Sequence, residues 1–266
     1  MSIKQILGAD LYVKDVGSGE PVLLIHGITN FHRSWSAQID NLVQQGYRVI
    51  APDLPGHGDS APLEQKMTVE ALATTMVALL DEKGIAAAHL CGVSLGGMVA
   101  MTMALRFPDR VKRLVVADTS ARFDTDLHQK MLAGWQADFL AENGPLNRLK
   151  KTWPLLVNET FRSSPKGDAT FKEWAANARS ASGSSYAYVC NGLAEYNIEN
   201  ALGNITQPTL VLAGSEDRML TAAENKVIAE KIPGAIFEII DGGSHLPNVD
   251  SADAFNAALG HFLKIT

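Results

Sequence analysis

At 266 residues the chain has room for one large α/β domain, or for such a domain with a modest insertion, and 46% hydrophobic content suits a substantial core. A net charge of −6 with no clustered Lys/Arg face argues against nucleic acid as a partner. Residues 1–10 lack the long apolar stretch of a signal peptide, no segment is apolar enough to span a bilayer, and two cysteines, Cys91 and Cys190, make no disulfide framework, so a cytoplasmic location without a membrane partner is expected.

Two edge strands are predicted at residues 3–7 and 11–14, joined by Gly8, with a turn at Gly17-Ser18-Gly19-Glu20. Residues 21–25 read as a buried strand running into His26-Gly27-Ile28-Thr29-Asn30. A helix at 35–44 leads to a strand at 47–51, which ends at Pro52-Asp53-Leu54-Pro55-Gly56-His57-Gly58-Asp59-Ser60, a loop by composition. A helix follows at 68–83, with Thr68 as its N-cap and Gly84 ending it. The apolar run from Ala88 is a strand, and the Ala- and Met-rich run after Ser94 a helix that stops near Phe107-Pro108. A buried strand at 112–117 completes a strand–helix alternation that argues for a parallel sheet with helices on both faces.

The alternation then stops. Residues 121–202 are mostly helical, with breaks expected at Gly144-Pro145, Trp153-Pro154, Ser164-Pro165 and Ala181-Ser182-Gly183. Strands resume at 208–213 and 235–240, joined by a helix at 221–231, and a helix at 251–263 closes the pattern. The simplest organisation is one core domain, residues 1–120 and 203–266, interrupted by a helical insert at 121–202, without repeats or low-complexity segments.

Gly92-Val93-Ser94-Leu95-Gly96 sits where the strand turns sharply into the helix. The two glycines let strand and helix approach closely, and the turn projects Ser94 off the sheet in a strained conformation. The five-residue pattern alone also fits an ordinary glycine-rich turn, so its context decides. In open parallel sheets ligands meet the loops at the carboxyl ends of the strands. Those loops carry His26-Gly27-Ile28, Ser94, Gly214-Ser215-Glu216-Asp217 and Asp241-Gly242-Gly243-Ser244-His245. A serine hydroxyl needs a base, an imidazole near its normal pKa accepts and returns the proton, and a carboxylate fixes the tautomer of that ring. The backbone N–H groups of Leu95 and Ile28 are the candidate donors for a developing oxyanion.

With these loops the chain resembles the α/β-hydrolase family over nearly its whole length. The likeness rests on His26-Gly27, the 53–60 loop, Gly92-Val93-Ser94-Leu95-Gly96-Gly97, Gly214-Ser215-Glu216-Asp217 and Gly243-Ser244-His245. The resemblance implies an α/β-hydrolase fold, a mostly parallel doubly wound sheet with a helical cap. It also implies a Ser94–His245–Asp217 triad, an oxyanion hole at Ile28 and Leu95, and a cofactor-free reaction on a small carboxylic ester or lactone. Residues 91–100 and Tyr188-Val189-Cys190-Asn191-Gly192-Leu193 look most like small bacterial esterases and 3-oxoadipate enol-lactonases. Val93 departs from the pattern, since many members place His or Asn there. Some members carry the acid after the preceding strand, which makes Asp118 the rival to Asp217. The same framework also supports carbon–carbon bond hydrolysis, cofactor-independent dioxygenation with Asp118 as the likelier acid, and slow-turnover ligand reception. A homodimer is compatible with the sequence.

Other polar residues have plainer readings. His26 shapes the oxyanion loop, His57 sits in a structural turn, His89 is a core or edge histidine, and His128 and His261 are solvated. His32 with Arg33 is a candidate for the pocket wall. Asp53 and Asp59 serve their own loop, while Asp241 is a candidate partner for the histidine loop. The histidines lack metal-ligand spacing, and no phosphate-binding loop is present. Arg122, Arg148, Lys150, Lys151, Arg162 and Arg179 in the insert are candidates for binding a carboxylate, none of them singled out. Some aromatic rings among Trp135, Phe139, Trp153, Phe161, Phe171, Trp174, Tyr186 and Tyr188 are expected to face the pocket.

Overall fold

Unbroken apolar runs such as Pro21–Ile25 make sense when both faces of a strand are covered. The computed structural model, which describes residues 2–264, shows what covers them. In chain order the elements are β1 (Ser2–Ile6), β2 (Ala9–Val16), β3 (Pro21–Ile25), α1 (Ser36–Gln44), β4 (Arg48–Pro52), α2 (Val69–Glu82), β5 (Ala88–Val93), α3 (Leu95–Arg106) and β6 (Val111–Ala117). Five helices follow: α4 (Asp126–Leu140), α5 (Gly144–Leu156), α6 (Glu159–Arg162), α7 (Pro165–Ser180) and α8 (Gly183–Leu193). The chain then returns through β7 (Thr209–Gly214), α9 (Ala222–Lys231), β8 (Ile236–Ile240), α10 (Pro247–Asp250) and α11 (Ala252–Lys264).

Among the described residues the strands form one eight-stranded sheet in the order β1-β2-β4-β3-β5-β6-β7-β8. The pairings β1–β2 and β2–β4 are antiparallel, and the rest are parallel. This is the mostly parallel α/β sheet expected. Alternate residues feed two cores: Leu23, Ile25, Leu90 and Val116 pack with α2, α3 and α9, whereas Val22, Leu24, Cys91 and Val115 pack with α1 and α11. The winding direction reverses between β3 and β5, so the loops leaving their carboxyl ends frame a crevice. None of the described helices is long and apolar enough to cross a membrane.

Local signals map closely onto the elements. Thr68 caps α2 by accepting from the Ala71 N–H at 3.1 Å, and Gly84 follows in the left-handed region at φ +65°. Leu7 was expected in a strand but lies in the β1–β2 turn at φ +48°, 68% exposed, because the hairpin reverses one residue before Gly8. Trp153-Pro154 is not a break. Pro154 sits within the last turn of α5, where its ring forfeits one hydrogen bond while the Val157 N–H still reaches Trp153 O at 3.3 Å. The break comes at Asn158, which caps α6 by accepting from the Phe161 N–H at 2.8 Å. The other three predicted breaks fall where a new helix begins: Gly144-Pro145 opens α5, Ser164-Pro165 caps and opens α7, and Ala181-Ser182-Gly183 leads into α8.

Candidate active site

Two glycines fix the shape of the β5–α3 turn. A Cβ at Gly92 would lie 2.2 Å from Gly96 O, and one at Gly96 would lie 1.9 Å from Ile25 O, distances that only a hydrogen atom tolerates. Ser94 between them adopts φ +55°, ψ −121°, a conformation that non-glycine residues avoid. The contact of Gly96 with the end of β3 also brings the 26–30 loop against the first turn of α3. That loop carries Ile28, and Leu95 opens the helix, whose first N–H groups have no intrahelical acceptor. Asn30 N–H closes the loop onto Gly27 O at 3.2 Å, and the Thr119 hydroxyl donates to Ser94 O at 2.7 Å.

His245 is buried on the loop between β8 and α10, and its Nδ1 lies 2.9 Å from Asp217 Oδ2. Asp217 Oδ1 accepts from the N–H groups of Met219 at 2.7 Å and Leu220 at 3.2 Å. Burial opposes ionisation of Asp217, but the imidazole and these two amides outweigh it, and its pKa lies below the ordinary carboxylate value. Among the described residues it is Asp217, and not Asp118, that hydrogen-bonds the histidine. Asp118 is fully buried after β6 at φ +44°, and its Oδ1 accepts from Gly214 N–H at 2.9 Å. Burial, with the neighbouring Asp217, holds the Asp118 carboxyl well above the ordinary range.

Ser94, Ile28, Leu95 and His245 all line one cavity of about 530 Å³. Its outer wall comes from α4 and α5, which contribute Lys130, Trp135, Asp138, Arg148 and Lys151. Of the candidate cations, Arg148 and Lys151 therefore reach the cavity; Arg122 instead pairs with Asp124 and Glu199. Arg148 is 8% exposed, bonds Asp138 at 3.0 Å and lies 4.5 Å over the Trp135 ring. Trp135 is the ring from the candidate set that borders the cavity, while Phe139, Trp153, Phe161, Trp174 and Tyr186 are buried in the cores.

The remaining histidines behave largely as read. His26 Nδ1–H donates to Gly27 O at 2.8 Å and Nε2 accepts from Leu54 N–H at 2.9 Å, tying the ends of β3 and β4 together. Burial lowers its pKa to about 4, and burial lowers that of His57, which donates to Pro55 O, to about 3, so both rings are neutral. His32 does not border the cavity: its ring and N–H both bond Asp53, at 2.9 and 2.6 Å, and Arg33 pairs with Glu173 at 2.7 Å. His128, expected in solvent, is half-buried and stacks on Phe123 at 4.5 Å because the segment ahead of α4 folds back.

Three supporting residues left little trace in the sequence. Asp241, the expected partner of the histidine loop, is exposed, and Asp250 performs that task. Its Oδ2 accepts from Ser244 N–H at 3.0 Å and Asn158 N–H at 2.8 Å, bracing His245 against the α5–α6 junction. Buried Asn225 accepts from Thr119 N–H at 3.0 Å and donates to Leu220 O at 3.0 Å, linking the loops after β6 and β7. Buried Asn248 donates to Ser34 O at 2.9 Å. None of the three carries a local signal: Asn225 lies inside α9, whose cap is Thr221, and all depend on contacts between segments far apart in the chain.

Fold and site together define a doubly wound hydrolase with a serine at its strand–helix elbow. A profile described as alpha/beta hydrolase fold matches residues 20–252, and the chain belongs to that family. It is 31% identical over 235 residues to "3-oxoadipate enol-lactonase 2" of Acinetobacter baylyi, covering 86% of this chain and 83% of the relative. An esterase from Thermogutta terrifontis, solved with malate bound, superposes with a TM-score of 0.91 at 30% identity, covering 99% of this chain and 98% of that one. The enol-lactonase of Burkholderia xenovorans LB400 shares the fold with a TM-score of 0.92 at 23% identity, covering 99% and 100%.

Proposed function

We propose that the protein is a cofactor-free serine hydrolase that cleaves a small carboxylic ester or lactone through an acyl-enzyme. The observation carrying this reading is the His245–Asp217 pair at 2.9 Å on the same cavity as strained Ser94. Ser94 Oγ attacks the carbonyl as His245 Nε2 takes its proton, and Asp217 holds the ring and stabilises the imidazolium. The oxyanion rests against the N–H groups of Ile28 and Leu95. His245 returns the proton to the departing oxygen, which in a lactone stays tethered to the acyl group. A water deprotonated by His245 then attacks the acyl-enzyme and frees Ser94.

Residues 121–202 act in this reading as a cap over a core of residues 1–120 and 203–266, since α4 and α5 supply the outer wall of the cavity. The cavity wall holds Lys130, Arg148, Lys151 and Arg218 against the single acid Asp138, in a chain of net charge −6. That contrast favours a substrate with an anionic group remote from the scissile bond. The relatives named as an enol-lactonase and an esterase support the same bond type. The dioxygenase alternative called for Asp118 as the acid, and it is Asp217 that meets His245. A cytoplasmic setting belongs to the same reading, as Cys91 and Cys190 are both free, buried thiols.

Ser94→Ala should lower nitrophenyl ester turnover by on the order of 10⁶ and abolish labelling by a fluorophosphonate. Near-parental hydrolysis by that variant would end the proposal.

A further inference from the structure

The site holds two buried carboxyls where the reaction uses one. Asp217 already has three donors: two backbone N–H groups on Oδ1 and the His245 ring on Oδ2, which leaves room on Oδ2 for one more. Asp118 has a single donor, Gly214 N–H, on Oδ1. Its Oδ2 is buried and meets no donor among the described residues. The neighbouring carboxyl is that of Asp217, whose side chain and charge oppose ionisation of Asp118. The shared anchor is Gly214: its N–H binds Asp118, and its carbonyl accepts from Asp217 N–H at 3.3 Å.

We infer that Asp118 is a carboxylic acid in the resting protein and donates its Oδ2 proton to the Asp217 carboxylate, acting as a positioning residue for the Asp217–His245 pair. Two ionised carboxylates in contact would repel, and an unpartnered buried carboxylate oxygen is costly. A single proton between them removes both costs, and it stays on the residue with fewer donors. The charged groups that act on Asp118 are Asp217 after β7 and Asp250 on α10, and both oppose its ionisation. The left-handed backbone of Asp118 also belongs here, since residues held in that region are kept there by their surroundings. A donor on Asp217 shares its negative charge and so tempers the pull of that carboxylate on the His245 ring. The inference rests on Asp217 being the acid of the proposed triad.

Two variants and one spectrum test it. In Asp118→Asn the amide can still accept from Gly214 and donate to Asp217, so kcat should stay within about 3-fold and the acid limb of the pH–kcat profile within about 0.3 pH unit. In Asp118→Leu the donor is lost: kcat should fall roughly 10- to 100-fold with KM little changed, and the acid limb of the pH–kcat profile should rise by about one pH unit as the Asp217 carboxylate keeps its full charge. The infrared spectrum of resting enzyme at neutral pH should carry a protonated-carboxyl C=O band that Asp118→Asn lacks. That band is read without substrate, so it fails independently of the Ser94 chemistry, and it decides the matter if Asp118→Leu does not fold. An absent band, or an acid limb that falls in Asp118→Asn as it would on deleting a negative charge, overturns the inference. So does a folded Asp118→Leu enzyme with parental kcat and pH profile.

Discussion

His26 and His57 show how one residue type divides between scaffold and chemistry. Both are fully buried and neutral, with pKa values pushed by burial to about 4 and about 3, whereas unfolded histidine titrates near 6.5. The unfolded chain therefore binds more protons below pH 6.5, and stability falls as pH drops from there toward the folded values. Going from pH 7 to pH 5 should cost up to about 2 kcal/mol per ring, and urea midpoints at the two pH values measure it. A His57→Gln variant should show a shallower decline. Gly96 is the other decisive single residue. The Cβ of Gly96→Ala would strike Ile25 O, so that variant should lose activity together with several degrees of Tm rather than activity alone.

At the level of elements, α8 explains why the Tyr188–Leu193 stretch stood out. Gly192 lies so close to the chain ahead of α2 that a Cβ would fall 1.9 Å from Met67 O, and Met67 N–H donates to Tyr188 O at 3.3 Å. α8 also packs along α4, which borders the cavity, so pushing it outward moves the wall. Gly192→Ala should lower Tm by several degrees and raise KM more than it lowers kcat, as differential scanning and steady-state kinetics would show. An unchanged KM would mean that α4 is positioned without α8. The α5–α6 junction offers a contrasting case. Pro154 was a plausible helix end, yet Asn158 sets it, because a proline in the last turn removes one bond whereas a capping side chain supplies one.

Across the whole molecule, charge is distributed against its own average. The chain carries −6 overall, while the charged side chains on the largely apolar cavity wall are Lys130, Arg148, Lys151 and Arg218 against one acid, Asp138, which pairs with Arg148 and Lys151. If an anionic substrate group meets these side chains, an ester bearing a distal carboxylate should show a higher kcat/KM than its neutral isostere. The advantage should shrink as salt is raised from about 0.01 to 0.5 M, because the Debye length falls over that range from about 30 Å to a few ångströms. Equal kcat/KM for the two esters at low salt would count against the anionic preference. Arg148→Met should erode the difference mainly through the carboxylate substrate, although lost packing on Trp135 and Phe139 adds a stability cost.

The strand–helix alternation, the Gly92–Gly96 elbow and the order of serine, acid and histidine were legible in the chain because each is local. Apolar periodicity, glycine spacing and loop composition act within a few residues. The polar partnerships were not local. Asp217 was expected as the partner of His245 through the family resemblance, with Asp118 its rival, and it is the one that meets the ring. But Asp250 rather than Asp241 braces the histidine loop, and which of the insert cations reach the cavity, Arg148 and Lys151, was not marked in the sequence. Each of those choices depends on which strand ends are neighbours in the sheet and how far the inserted helices lean over them. Hydrogen bonds reach about 3 Å and residues tens of positions apart compete for them, so only the folded chain decides which pairs form.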